Sequence, residues 1–427
     1  MYIAKQETKS VDQSKGKYIY LCLLAYTFLI LSLPDGIKNM TCLYKMTTKG
    51  IHVTYTYNYY LSFLEIPIIF LGLLYYKYSR VLKFIWIYIL IFAINIAYFL
   101  IGASNIITLQ SYESFLLLLT GFCAACIVLQ NQNDYLEVEK ILDWFIVLQF
   151  ALQIVSMVSG ASGADGRYAA IGMGSGATAS LACEYLIWTL FARKGDTKLF
   201  PVICAVVTIL LSGSRTNLLV FMLIAIIFLG KLIKKQVEDG HGRRIFWVLI
   251  IGVPALILAI FFGVRNGGSV ERFTSLFEGN FINNVTTDDS FLGRQRSIEG
   301  SFRILKDHPM GIPFSIYAIE NLSSRYFTME YPHSTLLSYI LLWGPIIAIF
   351  VFVYIIRLFV RAIKLKDNSA IYLGYYIFIL IFYGSPILYA KSYAFIFVIL
   401  SYIKSKLDDL EQERNMELTN EENYLIR

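Results

Sequence analysis

The sequence predicts an all-α fold: a polytopic bundle of about twelve membrane-spanning helices with one larger extracytoplasmic loop as a cap. Three observations predict it. Hydrophobic residues make up 57% of the 427 positions and charged residues only 16%, with mean hydropathy +0.60. A soluble globular chain carries about 25% charged residues, so most of this surface does not face water. Apolar runs recur along the whole chain, each near the roughly 20 residues that cross ~30 Å of hydrocarbon. Tyr and Phe number 31 each, and many Tyr flank those runs, where an amphipathic ring suits the interface.

Residues 1–17 are polar and basic, and the first apolar run is long enough to stay in the membrane, so no cleaved signal is expected. The spans read as 18–33, 59–76, 84–101, 114–130, 141–159, 177–191, 199–211, 217–230, 245–263, 334–356, 369–384 and 387–403. An even number puts both termini on one side. Lys77, Arg80 and Lys83 mark one short loop, and Arg193, Lys194 and Lys198 a second. Lys231, Lys234, Lys235, Arg243 and Arg244 mark a third. Basic residues in short loops stay inside, so both termini are assigned to the cytoplasm. The same rule accounts for the net charge of +7, and no nucleic-acid partner is expected. The chain divides into an N-terminal bundle of about nine spans (1–263), an extracytoplasmic cap (264–332), about three C-terminal spans (333–404) and a cytoplasmic tail (405–427).

Residues 200–229 are apolar except for Ser212-Gly213-Ser214-Arg215-Thr216. One helix of that length would run ~45 Å, well over the hydrocarbon thickness. It would also put the basic segment 231–244 outside. Two short helices joined by a tight Ser-Gly-Ser turn are therefore expected, with Arg215 at membrane depth on the outer side. Irregular backbone there has to be buried in protein or line a wet cavity. Within the cap, 294–307 reads as an amphipathic helix with Ile298, Phe302 and Leu305 on its apolar face, stopped by His308-Pro309. Residues 160–176 form a Gly- and Ala-rich outer loop containing Arg167. The tail from Lys404 is expected as a short, fraying helix. The six Cys lie mostly in apolar runs; Cys123-Ala-Ala-Cys126 has redox spacing but reads as small-residue helix packing.

The outer side collects Arg167, Arg215, Arg294, Arg296, Arg303 and His333. Arg carries a permanent charge and a planar fork that holds phosphate oxygens in pairs. At membrane depth it is expensive enough to point to function. The competing reading of Arg215 is an interface snorkel or a pair with a helix carboxylate. For Arg303 and Arg325 a solvated loop charge is preferred. His333, where the cap meets the next helix, suits a general base, against a structural hydrogen-bonding role. Glu65 and Glu184 lie inside expected helices, either as packing residues or as partners or proton acceptors near Arg215. Asp288-Asp289 lacks further ligands at metal spacing.

Four segments together resemble the bacterial O-antigen polymerase and ligase superfamily, which includes capsule polymerases. Ser212-Gly213-Ser214-Arg215-Thr216 looks like its Ser-Arg motif between two short helices. Gly293-Arg294, followed fifteen residues after the Arg by Pro309 and then Gly311, looks like its outer-loop motif. His333, ten residues and then Gly344 is similar to its His-x10-Gly signature. Gly166-Arg167-Tyr168 resembles its Gly-Arg-Tyr stretch. The chain departs from the pattern at Ile298 (usually aromatic), Ser334 (usually Asn) and Pro313 (usually Gly).

The resemblance implies a glycosyltransferase of the bacterial cytoplasmic membrane that polymerises undecaprenyl-pyrophosphate-linked oligosaccharide repeat units on the extracytoplasmic face, into O-antigen or capsular polysaccharide. A sugar hydroxyl of one unit attacks the anomeric carbon of another, and lipid pyrophosphate leaves. His333, Arg215 and Arg294 are then catalytic, the His taking the hydroxyl proton and the arginines stabilising the pyrophosphate in place of a metal. Arg167, Ser214, Arg296 and Glu184 are expected to bind substrate, with no metal or cofactor. The implied partners are the lipid-linked oligosaccharide, membrane lipids, a flippase and a chain-length regulator. The alternative within the superfamily is a ligase passing glycan to a lipid or protein acceptor. The alternative outside it is a transporter or flippase of the same lipid-linked sugar, which inverted repeats would mark; no repeat is visible.

Overall fold

The computed structural model describes residues 135–159, 167–171, 174–238, 289–311, 334–382 and 390–425, with isolated residues between 21 and 51. The spans expected at 59–130 and 245–263 and most of the cap lie outside the described residues, as do Glu65, Cys123, Cys126, Asp288, Pro313, Arg325 and His333.

The described part is helical apart from two-residue strands at Met46–Thr47 and Gly50–Ile51, which pair antiparallel. Helix α1 spans Tyr135–Val158 and α2 spans Ser175–Ile187, continued by a π turn at Trp188–Ala192. Then come α3 (Leu199–Ser212), α4 (Arg215–Glu238), α5 (Asp289–Asp307), α6 (Thr335–Lys364), α7 (Ser369–Phe382) and α8 (Ala390–Leu425). Tyr135–Val158, Thr216–Lys234 and Gly344–Lys364 are each long and apolar enough to cross a membrane, and Leu199–Ser212 and Ser369–Ile381 are shorter apolar helices. The break expected inside 200–229 is present, at Gly213-Ser214.

Helix α2 is the centre of the bundle, with Ala177 to Ile187 all buried. Its first two turns carry only small residues up to Ser180, which lets α3, α4 and α1 approach closely. By contrast α6 turns Ile346, Ile349, Phe350, Val353, Val360 and Ile363 outward. An exposed apolar stripe of this length is unfavourable in water and natural against lipid.

Three expectations need correction. Of the apolar face assigned to 294–307 only Leu305 packs against the core, while Ile298 and Phe302 are exposed at 36% and 60%. The packed face is Gly293, Ser297, Gly300, Ser301 and Ile304, because small side chains let the helix backbone lie against its neighbours. Ser301 Oγ meets its own helix by donating to Ser297 O at 2.8 Å. Next, 334–356 is not one straight span. Gly344 (φ 81°, ψ 157°) and Pro345 break α6, and the second part runs on to Lys364. Finally, the tail from Lys404 is helical as expected but not a short helix of its own: it continues α8, one helix of 36 residues, held by ion pairs of Lys406 with Asp367 at 2.8 Å and of Asp409 with Lys194 at 2.6 Å.

Candidate functional site

The Ser-Arg segment forms a turn between two helices. Gly213 takes the left-handed conformation (φ 61°) that ends α3, a position glycine occupies without a Cβ penalty. Ser212 Oγ donates to Ile209 O at 2.7 Å and accepts from Ser214 N at 3.3 Å, closing the turn. Arg215 opens α4, and the structure describes its backbone only. Asn217, buried in the first turn of α4, donates from Nδ2 to Ser214 Oγ at 2.9 Å and to Gly176 O at 3.0 Å. Its own carbonyl accepts from Cys183 Sγ at 3.5 Å.

The Gly-Arg-Tyr stretch lies against this turn. Tyr168 N donates to Leu211 O at 3.1 Å. Gln153 of α1, fully buried, donates from Nε2 to Tyr168 O at 3.0 Å and to Thr208 O at 3.2 Å. Ala170 N is taken by Thr178 Oγ1 at 3.1 Å, which joins the stretch to α2. Arg167 therefore stands one residue before a peptide held at both its N–H and its carbonyl. Its Nε is buried and meets no hydrogen-bond acceptor among the described residues. Such a group is costly unless something anionic or polar is to meet it.

The outer-loop motif and the His-x10-Gly motif also meet. After α5, His308 N closes on Ile304 O at 2.7 Å and Gly311 N on His308 O at 2.9 Å. Gly311 (φ 76°) then enters the break in α6. A Cβ there would stand 2.5 Å from Ile340 O and 2.8 Å from Leu341 O. The Pro345 ring has no N–H for Leu341 O, so the broken helix leaves room for another backbone. From the other side, a Cβ on Gly344 would stand 3.0 Å from Met310 O. Ser334 caps α6, its Oγ accepting from Leu337 N at 3.4 Å. Ser and Asn serve equally at an N-cap, which accounts for Ser at this departure from the motif. Arg294 is half-buried on α5, while Arg296 and Arg303 are exposed.

Glu184 is buried inside α2. Ser180 Oγ approaches its Oε1 at 3.5 Å, and Oε2 meets no partner. Tyr339 of α6 and Tyr376 of α7 share a 2.6 Å hydroxyl contact in the same interior. Gln153 and Asn217 were not legible as site residues, since a lone amide in an apolar run carries no motif.

Residues 200–353 match the family model described as O-antigen ligase. The match begins one residue into α3, takes in the Ser-Arg turn and α5, and ends beyond the α6 break. The matched segment supports the O-antigen ligase and polymerase superfamily. The match suggests a membrane enzyme of the ligase or polymerase type, and that superfamily implies a lipid-linked oligosaccharide substrate in the bacterial inner membrane. No curated protein matches the chain.

Proposed function

We propose that the protein polymerises undecaprenyl-pyrophosphate-linked oligosaccharide repeat units at the extracytoplasmic face of the cytoplasmic membrane. The observation that carries this reading is Arg167: its buried Nε has no acceptor among the described residues, beside the turn that opens on Arg215. Two guanidinium-bearing residues at one edge, close to membrane depth, suit a pyrophosphate at headgroup level. Arg167, Ser214 and Arg296 bind the donor, and Glu184 supports that site from within α2. Arg215 and Arg294 stabilise the charge that develops on the departing pyrophosphate. His333 accepts the proton of the attacking sugar hydroxyl. The bond formed joins that oxygen to the anomeric carbon; the bond broken is the one from the anomeric carbon to the pyrophosphate oxygen. The arginines supply the charge that a metal supplies elsewhere. A flippase delivers the substrate, and a chain-length regulator sets product size.

The matched family's description favours a second reading, a ligase that passes a finished glycan to another acceptor. The two readings predict different products in membranes supplied with lipid-linked single repeat units: a ladder of lengthening glycans for a polymerase, a single transfer for a ligase. Under either reading Arg215→Lys, which keeps charge but loses the fork, removes most product at normal protein level. His333→Gln, which keeps a donor and an acceptor but cannot serve as the base, loses about 10²–10⁴-fold. Near-normal turnover in both variants overturns the mechanism.

A further inference from the structure

We propose that Gln153 and Asn217 are positioning residues, two buried amides that hold the Arg167 strand and the Ser214-Arg215 turn as one anion-binding edge. The inference rests on the reading of Arg167 and Arg215 as pyrophosphate ligands.

Neither amide is placed as ordinary helix packing would place it. Each sits buried on an apolar helix and spends both amide hydrogens, Gln153 on backbone carbonyls of two other segments and Asn217 on the Gly176 carbonyl and on the hydroxyl of Ser214, three residues before it. Gln153 ties α1 to the carbonyl of Tyr168 and to Thr208 O on α3. The N–H of the same Tyr168 is held by Leu211 O. Tyr168 thus has its backbone held on both sides, the peptide that joins it to Arg167 by Leu211 O and the peptide that follows it by Gln153, and the point at which the Arg167 side chain leaves the chain is fixed with it. Asn217 does the same for the turn, binding Ser214 Oγ and the Gly176 carbonyl at the head of α2. The two carbonyl acceptors around Gln153 also decide which way its amide faces, since its oxygen would repel both. That leaves Gln153 Oε1 buried without a partner among the described residues, like Thr208 Oγ1 and Arg167 Nε. Of the three, Arg167 Nε is a fixed donor that an anion can meet, and rigid placement of such binding groups is what raises the rate.

A double-mutant cycle tests this in membranes, reading kcat/KM for lipid-linked repeat units and inhibition by inorganic pyrophosphate. Gln153→Met in the otherwise unchanged protein is expected to lose about tenfold in kcat/KM and to weaken pyrophosphate inhibition in parallel. In an Arg167→Lys background the same change is expected to cost less than about twofold, because the group it positions has gone. Asn217→Leu paired with Arg215→Lys is expected to behave alike. Full, additive losses in both cycles overturn the proposal and leave the amides as packing residues. Wild-type activity of Arg167→Lys overturns the reading of Arg167 itself, a separate result. Gln153→Glu, with the same shape and no amide donors, replaces Gln153→Met if that variant does not accumulate. Failure of both to insert assigns Gln153 to folding and overturns the proposal as well.

Discussion

In the sequence Arg193 is one of three basic residues in a short loop; in the fold its side chain is only 3% exposed. It forks onto Asp143 at 2.7 and 3.1 Å and onto Glu139 at 3.1 Å, and its guanidinium carbon lies 5.6 Å from the Trp188 ring centre. Tyr185 and Tyr402 hydroxyls complete the two carboxylates, donating to Asp143 at 2.6 Å and to Glu139 at 2.5 Å. Removing the guanidinium strands two buried acids. Arg193→Ala is therefore expected to lower stability by about 3–5 kcal/mol. Lys194→Ala, which breaks a more exposed pair, should cost no more than about 1 kcal/mol. Thermal melting in detergent measures both. The arginines of the candidate site were legible because they sit in motifs. The Arg193 cluster was not, because its partners come from α1 and α8, and only the fold brings them to one place.

Helix α5 and the break in α6 behave as one element. The sequence located this helix by its apolar spacing and put Ile298 and Phe302 on the wrong face, since small residues, invisible to a hydrophobic pattern, lie at the contact. It located Gly311 and Gly344 by motif spacing, and the structure supplies the reason: each needs positive φ and faces a carbonyl oxygen where a side chain would stand. Gly311→Ala carries both penalties. The left-handed backbone alone costs about 1–2 kcal/mol, and the close carbonyls add to it. Expected is a variant that inserts but is cut faster by protease between α5 and α6, and that loses activity even though residue 311 bears no reactive group. Unchanged proteolysis and activity would show that the junction yields.

At the scale of the whole molecule, α8 fastens one end of the bundle. Its residues Lys406, Asp408 and Asp409 reach Asp367 in the connection between α6 and α7, Arg361 in the last turn of α6, and Lys194 in the connection before α3. Arg361 also pairs with Glu411. Burial opposes the Asp367 charge, but Lys406 and Ser369 outweigh it and hold its pKa below the ordinary value. Asp408 is likewise lowered, burial being outweighed by Lys404 and Arg361. Each carboxylate contributes its full stabilisation above the ordinary aspartate pKa of about 3.9 and loses it as pH falls through the lower folded value. The fastening should hold down to that range and fail below it. Asp367→Asn should loosen α8 already at neutral pH, seen as faster exchange of its backbone amides. The basic residues near this end also carry the orientation argument. In a cysteine-free background, a cysteine at Arg296 should be labelled in intact cells and one at Glu413 only after the membrane is breached. The reverse pattern would invert the topology.

The seating of Gly311 in the α6 break has a consequence for which lengths the chain can tolerate. With that glycine anchored, α5 becomes a gauge measured back from it to Arg294. One residue inserted within α5 would swing Arg294 by about 100° and carry it about 1.5 Å along the axis, away from the side on which Gly293 and Ser297 are packed. Substitutions at exposed positions such as Arg303 leave this gauge unchanged, whereas any insertion or deletion between 294 and 311 resets it. The segment is thus free in composition on its outer surface and fixed in count, and an arginine–proline–glycine spacing can persist where little else in the segment does.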